Sequence, residues 1–271
     1  MGLKDTNADG IATTELTEEQ KYVFDTKGWL AIPDVLGEDD IEEMREFCYR
    51  LKNEPDSIPE HERVSIGGPL IRLTDHPVVV SFMNEFLAHS PLASEDCYGF
   101  RLESSFLTIR PKGHDNFRPH GGGGMLNFEG NSHVYRCIPG KAYSGLTRCV
   151  WELNPVRRGE GGTLFLSGSH KTVFGLPEST KDPDSPLWDT YECPAGSVLF
   201  FTEAITHTGA RWKTEEWDRV SLFNCYNTVG SKWHKWEPPL KLLESMPPKR
   251  QTLFRSVYCQ DNLVDGNYPK G

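Results

Sequence analysis

Apolar residues recur at helical spacing along the first third of the chain. Residues 17–20, Thr-Glu-Glu-Gln, match a helix capping box, and Gly28 is suited to end the helix that follows. Two further stretches, residues 37–51 and 77–92, place their apolar side chains at the same helical spacing. The pattern therefore predicts a helical N-terminal region over residues 16–92.

Short runs of β-type residues replace this pattern from about residue 97 onwards. Gly, Pro and Asn separate the runs, and polar and apolar residues alternate within several of them. Strands are predicted at residues 29–33, 99–110, 134–138, 145–153, 162–166, 197–202 and 220–228. Many short strands with this punctuation favour a sandwich or a barrel, so the predicted fold class is mainly β with flanking α-helices.

The chain of 271 residues is long enough to bury one substantial core. We predict a single domain over residues 16–271, preceded by a flexible tail at residues 1–15. The β core of this domain spans residues 97–229, and a C-terminal extension follows at residues 230–271. We expect a monomer or a homodimer.

The formal net charge of −10 argues against binding to a nucleic acid polymer, because proteins of that kind present a basic face. A small anionic substrate remains compatible with a few local arginines. Seven cysteines, an odd number without a CxxC pair, are typical of reduced thiols in the cytoplasm. No apolar run approaches the roughly 20 residues that a membrane-spanning helix needs. We therefore expect a cytoplasmic protein with a small-molecule substrate and no membrane partner.

Candidate chemistry centres on His120, which four glycines follow directly. Glycine offers no side chain for packing and loses backbone entropy on folding, so the run indicates access to a site. Residues two apart on a strand face the same side, which would direct His120 and Gly122 into one cavity. Many mononuclear iron enzymes place a histidine and a carboxylate at this spacing, and a distant histidine completes a facial triad on Fe(II). His207 is the candidate second histidine, and Gly122 occupies the carboxylate position.

Arg219 and Ser221 share one face at the start of a predicted strand. A guanidinium beside a hydroxyl suits a carboxylate, because the planar fork can bind both oxygens. The pair predicts a site for a dicarboxylic or keto acid beside the metal. On an earlier strand Thr108 and Arg110 lie two residues apart in the same way, and both are candidate cofactor-binding residues; Arg110 could receive the cofactor or a substrate anion.

Together these residues resemble the phytanoyl-CoA dioxygenase family of Fe(II)- and 2-oxoglutarate-dependent oxygenases. The resemblance covers residues 16–228 and rests on both histidines, on Arg219-Val-Ser221 and on residues 161–171, Gly-Gly-Thr-Leu-Phe-Leu-Ser-Gly-Ser-His-Lys. It implies a double-stranded β-helix, or jelly roll, of the cupin type. It also implies that His120 and His207 ligate iron and that O2 is consumed. Arg219 would then bind the far carboxylate of 2-oxoglutarate, assisted by Ser221.

Gly122 departs from the family pattern, because most members have an aspartate there. Two imidazoles and a bidentate 2-oxoglutarate fill four of the six positions on iron. Loss of the acid then leaves a position for chloride or water. Halogenases of this fold, which act on unactivated carbon, resemble the sequence in having Gly or Ala where the acid would be. We therefore expect halogenation of an aliphatic C–H bond as the favoured activity, with chloride bound beside Gly122.

Two alternatives stand beside halogenation. An acid from elsewhere in the chain, or a water molecule, could complete the iron site and give an ordinary hydroxylase. The candidate acids are Asp115, Glu129, Glu152 and Glu203. The protein could instead serve as a metal- or ligand-binding jelly roll without redox catalysis.

Overall fold

The structure is a computed structural model that describes residues 6–122 and 133–257. The chain divides into two compact units, each assembled from segments that are distant in sequence. Unit one consists of Met1–Leu16, Phe47–Phe106 and Asn224–Gly271, and unit two consists of Thr17–Glu46 and Leu107–Phe223. Every residue of the predicted metal and cosubstrate sites belongs to unit two.

The described residues contain five α-helices. They span Glu18–Lys27 (α1), Glu38–Asn53 (α2), Pro77–Phe86 (α3), Leu240–Ser245 (α4) and Pro248–Gln251 (α5). The predicted capping box forms at α1, because Thr17 Oγ1 accepts from the Gln20 amide at 3.1 Å and Gln20 Oε1 accepts from the Thr17 amide at 2.9 Å. Gly28 ends α1 with a left-handed φ of 82°. No helix among the described residues is long and apolar enough to cross a membrane.

Nine β-strands occur in the described residues. They span Trp29–Ile32 (β1), Phe100–Arg110 (β2), Tyr135–Ile138 (β3), Lys141–Ser144 (β4), Thr147–Glu152 (β5), Thr163–Phe165 (β6), Ser197–Thr202 (β7), His207–Gly209 (β8) and Arg219–Thr228 (β9). One sheet has the order β1-β7-β5-β9-β2, and the pairs β3–β4 and β6–β8 form two smaller sheets. The predicted mainly β fold is confirmed. β4 and β8 are additional strands that the sequence pattern did not predict.

The core of unit two joins β1, β6 and β7. Trp29 stacks on Phe165 with ring centroids 5.1 Å apart, and Phe165 meets Phe201 edge-on at 5.2 Å. Ile205, which is completely buried, belongs to the same cluster, and its amide donates to the Thr202 carbonyl at 3.1 Å. Buried side chains therefore fix both ends of the turn that follows β7. This turn positions the residues described below.

The segment Gly168–Lys171 attaches α1 to the rest of unit two. His170 Nε2 donates to the Asp25 carbonyl at 3.0 Å, and Lys171 forms an ion pair with the Asp25 carboxylate at 2.8 Å. A Cβ on Gly28 would approach His170 Nδ1 to 2.5 Å, so only glycine fits against this ring. Burial lowers the pKa of His170 to about 4. His170 therefore has a structural role in its neutral form.

Unit one contains a buried ionic cluster around Asp75. Arg250 Nε donates to Asp75 at 2.8 Å, and the Ala8 amide donates to the same carboxylate at 3.1 Å. Arg250 also contacts Asp9 at 2.5 Å. Residues 6–15 are the described part of the expected flexible tail. They are anchored at Ala8, whose amide helps to satisfy the buried Asp75 carboxylate, and at Asp9, which pairs with Arg250.

Candidate functional site

His120 and His207 lie side by side although they are far apart in the chain. They form an isolated antiparallel bridge, in which the His120 amide donates to the His207 carbonyl at 3.1 Å and the His207 amide donates back at 2.8 Å. Their ring centroids are 4.2 Å apart. Strand β8, which begins at His207, is itself paired with β6 through Phe165. Backbone pairing therefore holds both imidazoles at one place in unit two.

Both imidazoles are fixed by the same kind of hydrogen bond, made by Nδ1. His120 Nδ1 lies 2.7 Å from the Arg118 carbonyl, and His207 Nδ1 lies 3.0 Å from the Ile205 carbonyl. A carbonyl oxygen only accepts hydrogen bonds, so each Nδ1 carries a proton, and in the neutral ring it is then Nε2 that has the lone pair. Metal-binding histidines are commonly fixed in this way, with the second ring nitrogen donating to a carbonyl or carboxylate.

Glu203 places a carboxylate beside the two imidazoles. Its Oε2 is 3.7 Å from His207 Nε2. One donor atom from each of His120, Glu203 and His207 lies within 4.8 Å of the other two. Glu203 and His207 are each only 6% exposed, whereas His120 is exposed. The structure therefore brings together two nitrogen donors and an acid that comes from the turn after β7.

Arg148 on β5 holds the Glu203 carboxylate, because its Nε donates to Oε1. Burial by itself raises the pKa of Glu203, but the positive charge of Arg148 and the neighbouring His207 outweigh burial and lower the pKa to about 2. Burial lowers the pKa of His207 to about 4. Near neutral pH the cluster contains an ionised carboxylate and a neutral imidazole, which are the protonation states that bind a divalent metal.

Gly122 does not share a strand face with His120, and that prediction is wrong. Gly121 and Gly122 have φ values of 76° and 72°, so the chain leaves the extended conformation directly after His120. A Cβ at position 122 would lie 2.0 Å from Thr206 Oγ1, which itself donates to the Gly121 carbonyl at 2.8 Å. An aspartate at 122 would require the backbone to move. Local chain geometry therefore explains the glycine.

Arg219 is completely buried and paired with Glu152 on β5. Its Nε donates to Glu152 Oε2 at 3.2 Å, and its Nη2 donates to Oε1 at 2.5 Å. Nη2 also donates to the Tyr191 hydroxyl at 3.0 Å and lies 3.4 Å from Thr163 Oγ1. The Glu152 carboxylate raises the pKa of Arg219 in spite of its burial. The predicted carboxylate anchor thus already has an internal carboxylate partner.

Arg110 lies in the same region of unit two. Its guanidinium faces β8, since a Cβ on Gly209 would come within 3.0 Å of Arg110 Nη1. Burial and the neighbouring charge of Arg219 lower the pKa of Arg110 to about 10. The hydroxyls of Thr108 and Ser221, which are both predicted cofactor-binding residues, are 3.5 Å apart. The four predicted cosubstrate residues therefore lie on two neighbouring strands, Thr108 and Arg110 on β2 and Arg219 and Ser221 on β9.

The other acids proposed to replace the missing carboxylate lie elsewhere or are engaged. Asp115 accepts from the Phe117 amide at 3.0 Å in an exposed loop. Glu152 belongs to the Arg219 pair, and Glu129 lies outside the described residues. Glu203 is thus the candidate acid that the described structure brings to the histidines.

Arg148, Tyr191 and Thr163 are site residues that the sequence analysis did not identify. One signal for Arg148 was present, because Arg148 and Glu152 are the charged residues of an otherwise largely apolar strand and share one of its faces. In the structure Arg148 forms an ion pair with Glu203, and Glu152 forms an ion pair with Arg219. Tyr191 and Thr163 carry no comparable signal, since their contacts depend on tertiary packing.

A second group of metal-type side chains occurs in unit one. Donor atoms of Glu103, Cys225 and His234 lie within 4.8 Å of one another. The Glu103 carboxylate, however, accepts from Asn227 Nδ2 at 2.9 Å, from His234 Nδ1 at 2.8 Å and from the Trp233 amide at 3.1 Å. These bonds use the lone pairs that an ion would need and hold the segment after β9. We therefore assign this group a structural role.

Comparison with known proteins identifies the family. The family described as phytanoyl-CoA dioxygenase (PhyH) matches residues 24–220, which is more than half of the chain. No curated protein matches the sequence.

Solved structures show the same fold. HygX from Streptomyces hygroscopicus, with nickel and 2-oxoglutarate bound, is 24% identical with a TM-score of 0.64, covering 81% of this chain and 90% of its own. EctD from S. alaskensis is 16% identical with a TM-score of 0.59 and coverages of 81% and 80%. SnoK, a non-heme carbocyclase dependent on alpha-ketoglutarate, is 16% identical with a TM-score of 0.57 and coverages of 91% and 95%. These likenesses confirm the jelly-roll fold class. The chain belongs to the phytanoyl-CoA dioxygenase family and is an oxygenase of the class that depends on Fe(II) and 2-oxoglutarate.

Proposed function

We propose that this enzyme oxidises an aliphatic C–H bond of a small molecule and that His120, His207 and Glu203 hold its iron. The observation that carries the proposal is the placement of their three donor atoms within 4.8 Å of one another. Two neutral imidazoles and a carboxylate are the donor set of the facial triad that binds Fe(II). A bound ferrous ion would allow O2 to react with 2-oxoglutarate. That reaction releases succinate and carbon dioxide while the substrate is oxidised.

The chain's own residues would prepare this site before the metal binds. The Arg118 and Ile205 carbonyls fix the tautomers of His120 and His207, so that both Nε2 lone pairs are available. Arg148 occupies Glu203 Oε1, which leaves Oε2 directed towards His207. Because these groups are already oriented, little reorganisation accompanies metal binding.

The proposed cosubstrate pocket is formed by four residues, Arg110, Arg219, Thr108 and Ser221. The support is their placement on β2 and β9, with two guanidinium groups and two hydroxyls in one region of unit two. A dicarboxylate such as 2-oxoglutarate needs a cationic partner for its distal carboxylate, and a guanidinium is the side chain best suited to it.

Oxygenation is the activity that the geometry supports best. Chloride would need the coordination position that a carboxylate fills in a facial triad, and Glu203 supplies a carboxylate from a different part of the chain. Halogenation, which the sequence favoured, is the second candidate because Glu203 also pairs with Arg148. An Arg148 side chain that bound both oxygens of Glu203 would keep this carboxylate from the metal and leave that position to chloride. The two activities therefore differ in their requirement for chloride.

The proposed substrate is a small molecule. One structure of the similar protein HygX contains hygromycin B together with nickel and 2-oxoglutarate. The net charge of −10 disfavours a nucleic acid polymer as partner. All six cysteines among the described residues are free thiols, which supports a cytoplasmic location. A monomer or a homodimer is the proposed oligomeric state.

The test is formation of succinate from 2-oxoglutarate by the protein supplied with Fe(II) and O2. We expect turnover by the natural protein and its loss in His207→Ala and Glu203→Gln. Glu192→Gln is the matched control, because Glu192 is an exposed glutamate of unit two. Turnover should not change when chloride is replaced by another anion. Undiminished succinate formation by Glu203→Gln would contradict the ligand assignment, and a chloride-dependent halogenated product would establish the second candidate.

A further inference from the structure

Thr206, the residue directly before His207, is held by backbone hydrogen bonds towards β6. Successive residues of a strand direct their backbone groups to opposite sides. The backbone groups of His207 pair with His120, so those of Thr206 face the other way. There the Thr206 carbonyl accepts from the Leu166 amide at 2.9 Å, and the Thr206 amide donates to Ser169 Oγ at 2.8 Å. Two bonds therefore fix Thr206 on this side.

Ser169 offers Thr206 a side-chain acceptor beyond the end of strand β6. The strand ends at Phe165, and Gly168 has a left-handed φ of 84°, so the chain turns away from the strand direction. The Gly168 amide donates to the carbonyl of Lys27, the last residue of α1, at 2.9 Å. Ser169 is 7% exposed and Thr206 is completely buried, so an amide left without this acceptor would be costly. The bond thus connects the end of α1 with Thr206.

The Thr206 hydroxyl reaches the segment that carries the other histidine. It donates to the carbonyl of Gly121, which directly follows His120, at 2.8 Å. Gly121 also lies against the turn itself, because an added Cβ would come within 2.4 Å of the Ile205 carbonyl oxygen and 2.9 Å of the Glu203 carbonyl oxygen. The hydroxyl therefore joins the residue after His120 to the turn that contains Glu203.

We propose that Thr206 and Ser169 are positioning residues of the iron site, which hold the segment of His120 against the turn of Glu203 and His207. This inference rests on the proposed function. Neither residue is a proposed ligand, and each acts through the backbone beside one. The three ligands come from segments that are distant in the chain, so their relative placement depends on the bonds that join those segments. Groups that orient metal ligands in this way commonly change metal affinity when they are replaced.

The hydroxyl of Thr206 can be removed while the shape of the side chain is kept. Thr206→Val replaces the donor by a methyl group, whereas Thr206→Ser keeps the donor and loses only a methyl group. Ser169→Ala removes the acceptor on the other side. Thr180→Val is the matched control, because Thr180 is 2% exposed and its hydroxyl donates to the Pro177 carbonyl at 2.7 Å within one local turn.

The readout is binding of Co(II) to metal-free protein without O2, together with the visible absorption of the bound ion, which reports its coordination geometry. We expect Thr206→Val to weaken binding by about 10- to 100-fold and to shift the absorption bands. Ser169→Ala should change both in the same direction, by about 10-fold in affinity. Thr206→Ser and Thr180→Val should stay within about threefold of the natural protein. Urea unfolding shows that each variant is folded.

Two results would overturn the proposal. Folded Thr206→Val that binds Co(II) with the affinity and absorption of the natural protein would show that the hydroxyl does not position the ligands. An equal loss in Thr206→Ser would assign the effect to packing of the methyl group. Should Thr206→Val fail to fold, unchanged Co(II) binding in folded Ser169→Ala would refute the role of this connection. Natural protein that binds no Co(II), or binds it equally well as His207→Ala, would instead refute the proposed function itself.

Discussion

Substitution of Gly122 distinguishes a glycine required by chain geometry from a glycine that vacates a metal position. Gly122→Ala adds a Cβ at a left-handed φ of 72°, 2.0 Å from Thr206 Oγ1 and 2.8 Å from the Thr206 amide nitrogen. The backbone conformation costs about 1 kcal/mol for a residue other than glycine. Overpacking adds about 1–3 kcal/mol. We therefore expect a loss of about 2–4 kcal/mol in the free energy of unfolding.

The assay is urea unfolding together with the melting temperature, which should fall by about 5–15 °C for a domain of this size. Gly159→Ala is the matched control, because Gly159 has a φ of 76° but no atom within 4 Å of an added Cβ. It should lose only the backbone part, about 1 kcal/mol. Gly122→Asp should be at least as unstable as Gly122→Ala and should not bind Fe(II) more tightly. A stable Gly122→Asp protein with increased iron affinity would refute the geometric explanation.

Three further predictions concern residues outside the metal cluster. Because burial lowers the pKa of His170 to about 4 from 6.5, the unfolded chain binds more protons between these values. Stability should therefore decrease as pH falls from 6.5 to 4, by up to about 3 kcal/mol, and His170→Gln should flatten that part of the pH profile of urea unfolding. Glu103→Gln should cost about 2–4 kcal/mol and increase amide hydrogen exchange at Trp233, or else the carboxylate does not hold that segment. Cys137 is exposed and Cys149 is buried, so Cys137→Ser should remove one fast-reacting thiol from the folded protein, whereas Cys149→Ser should remove none.

Local patterns predicted the elements that local chemistry determines. Helix α1 was predicted from its capping residues and from Gly28, and both act as expected. The longer strands of the large sheet were predicted from their residue composition. Strand β8 was not, because His207–Gly209 is too short to show alternation and exists through its pairing with β6.

The site was predictable only in part, for reasons of register and backbone conformation. The sequence suggested His120 and His207 as partners, but the period-two argument failed at Gly122 because φ becomes positive directly after His120. The contact between Glu152 and Arg219 depends on the register in which β5 pairs with β9. These strands are far apart in sequence, so no local pattern encodes their register. Glu203 was one of four candidate acids. The sequence could not select it, because only the conformation of the turn after β7 brings its carboxylate to the two histidines.

The claim that Glu203 supplies the missing carboxylate is tested most directly by a crystal structure of the protein with Fe(II), 2-oxoglutarate and chloride. Anomalous scattering at the iron edge would locate the metal. We predict Nε2 of His120, Nε2 of His207 and Oε2 of Glu203 at about 2.2 Å from it, with no chloride bound. An iron ion held by the two histidines with chloride in the third position, and Glu203 Oε2 away from the metal, would contradict the account.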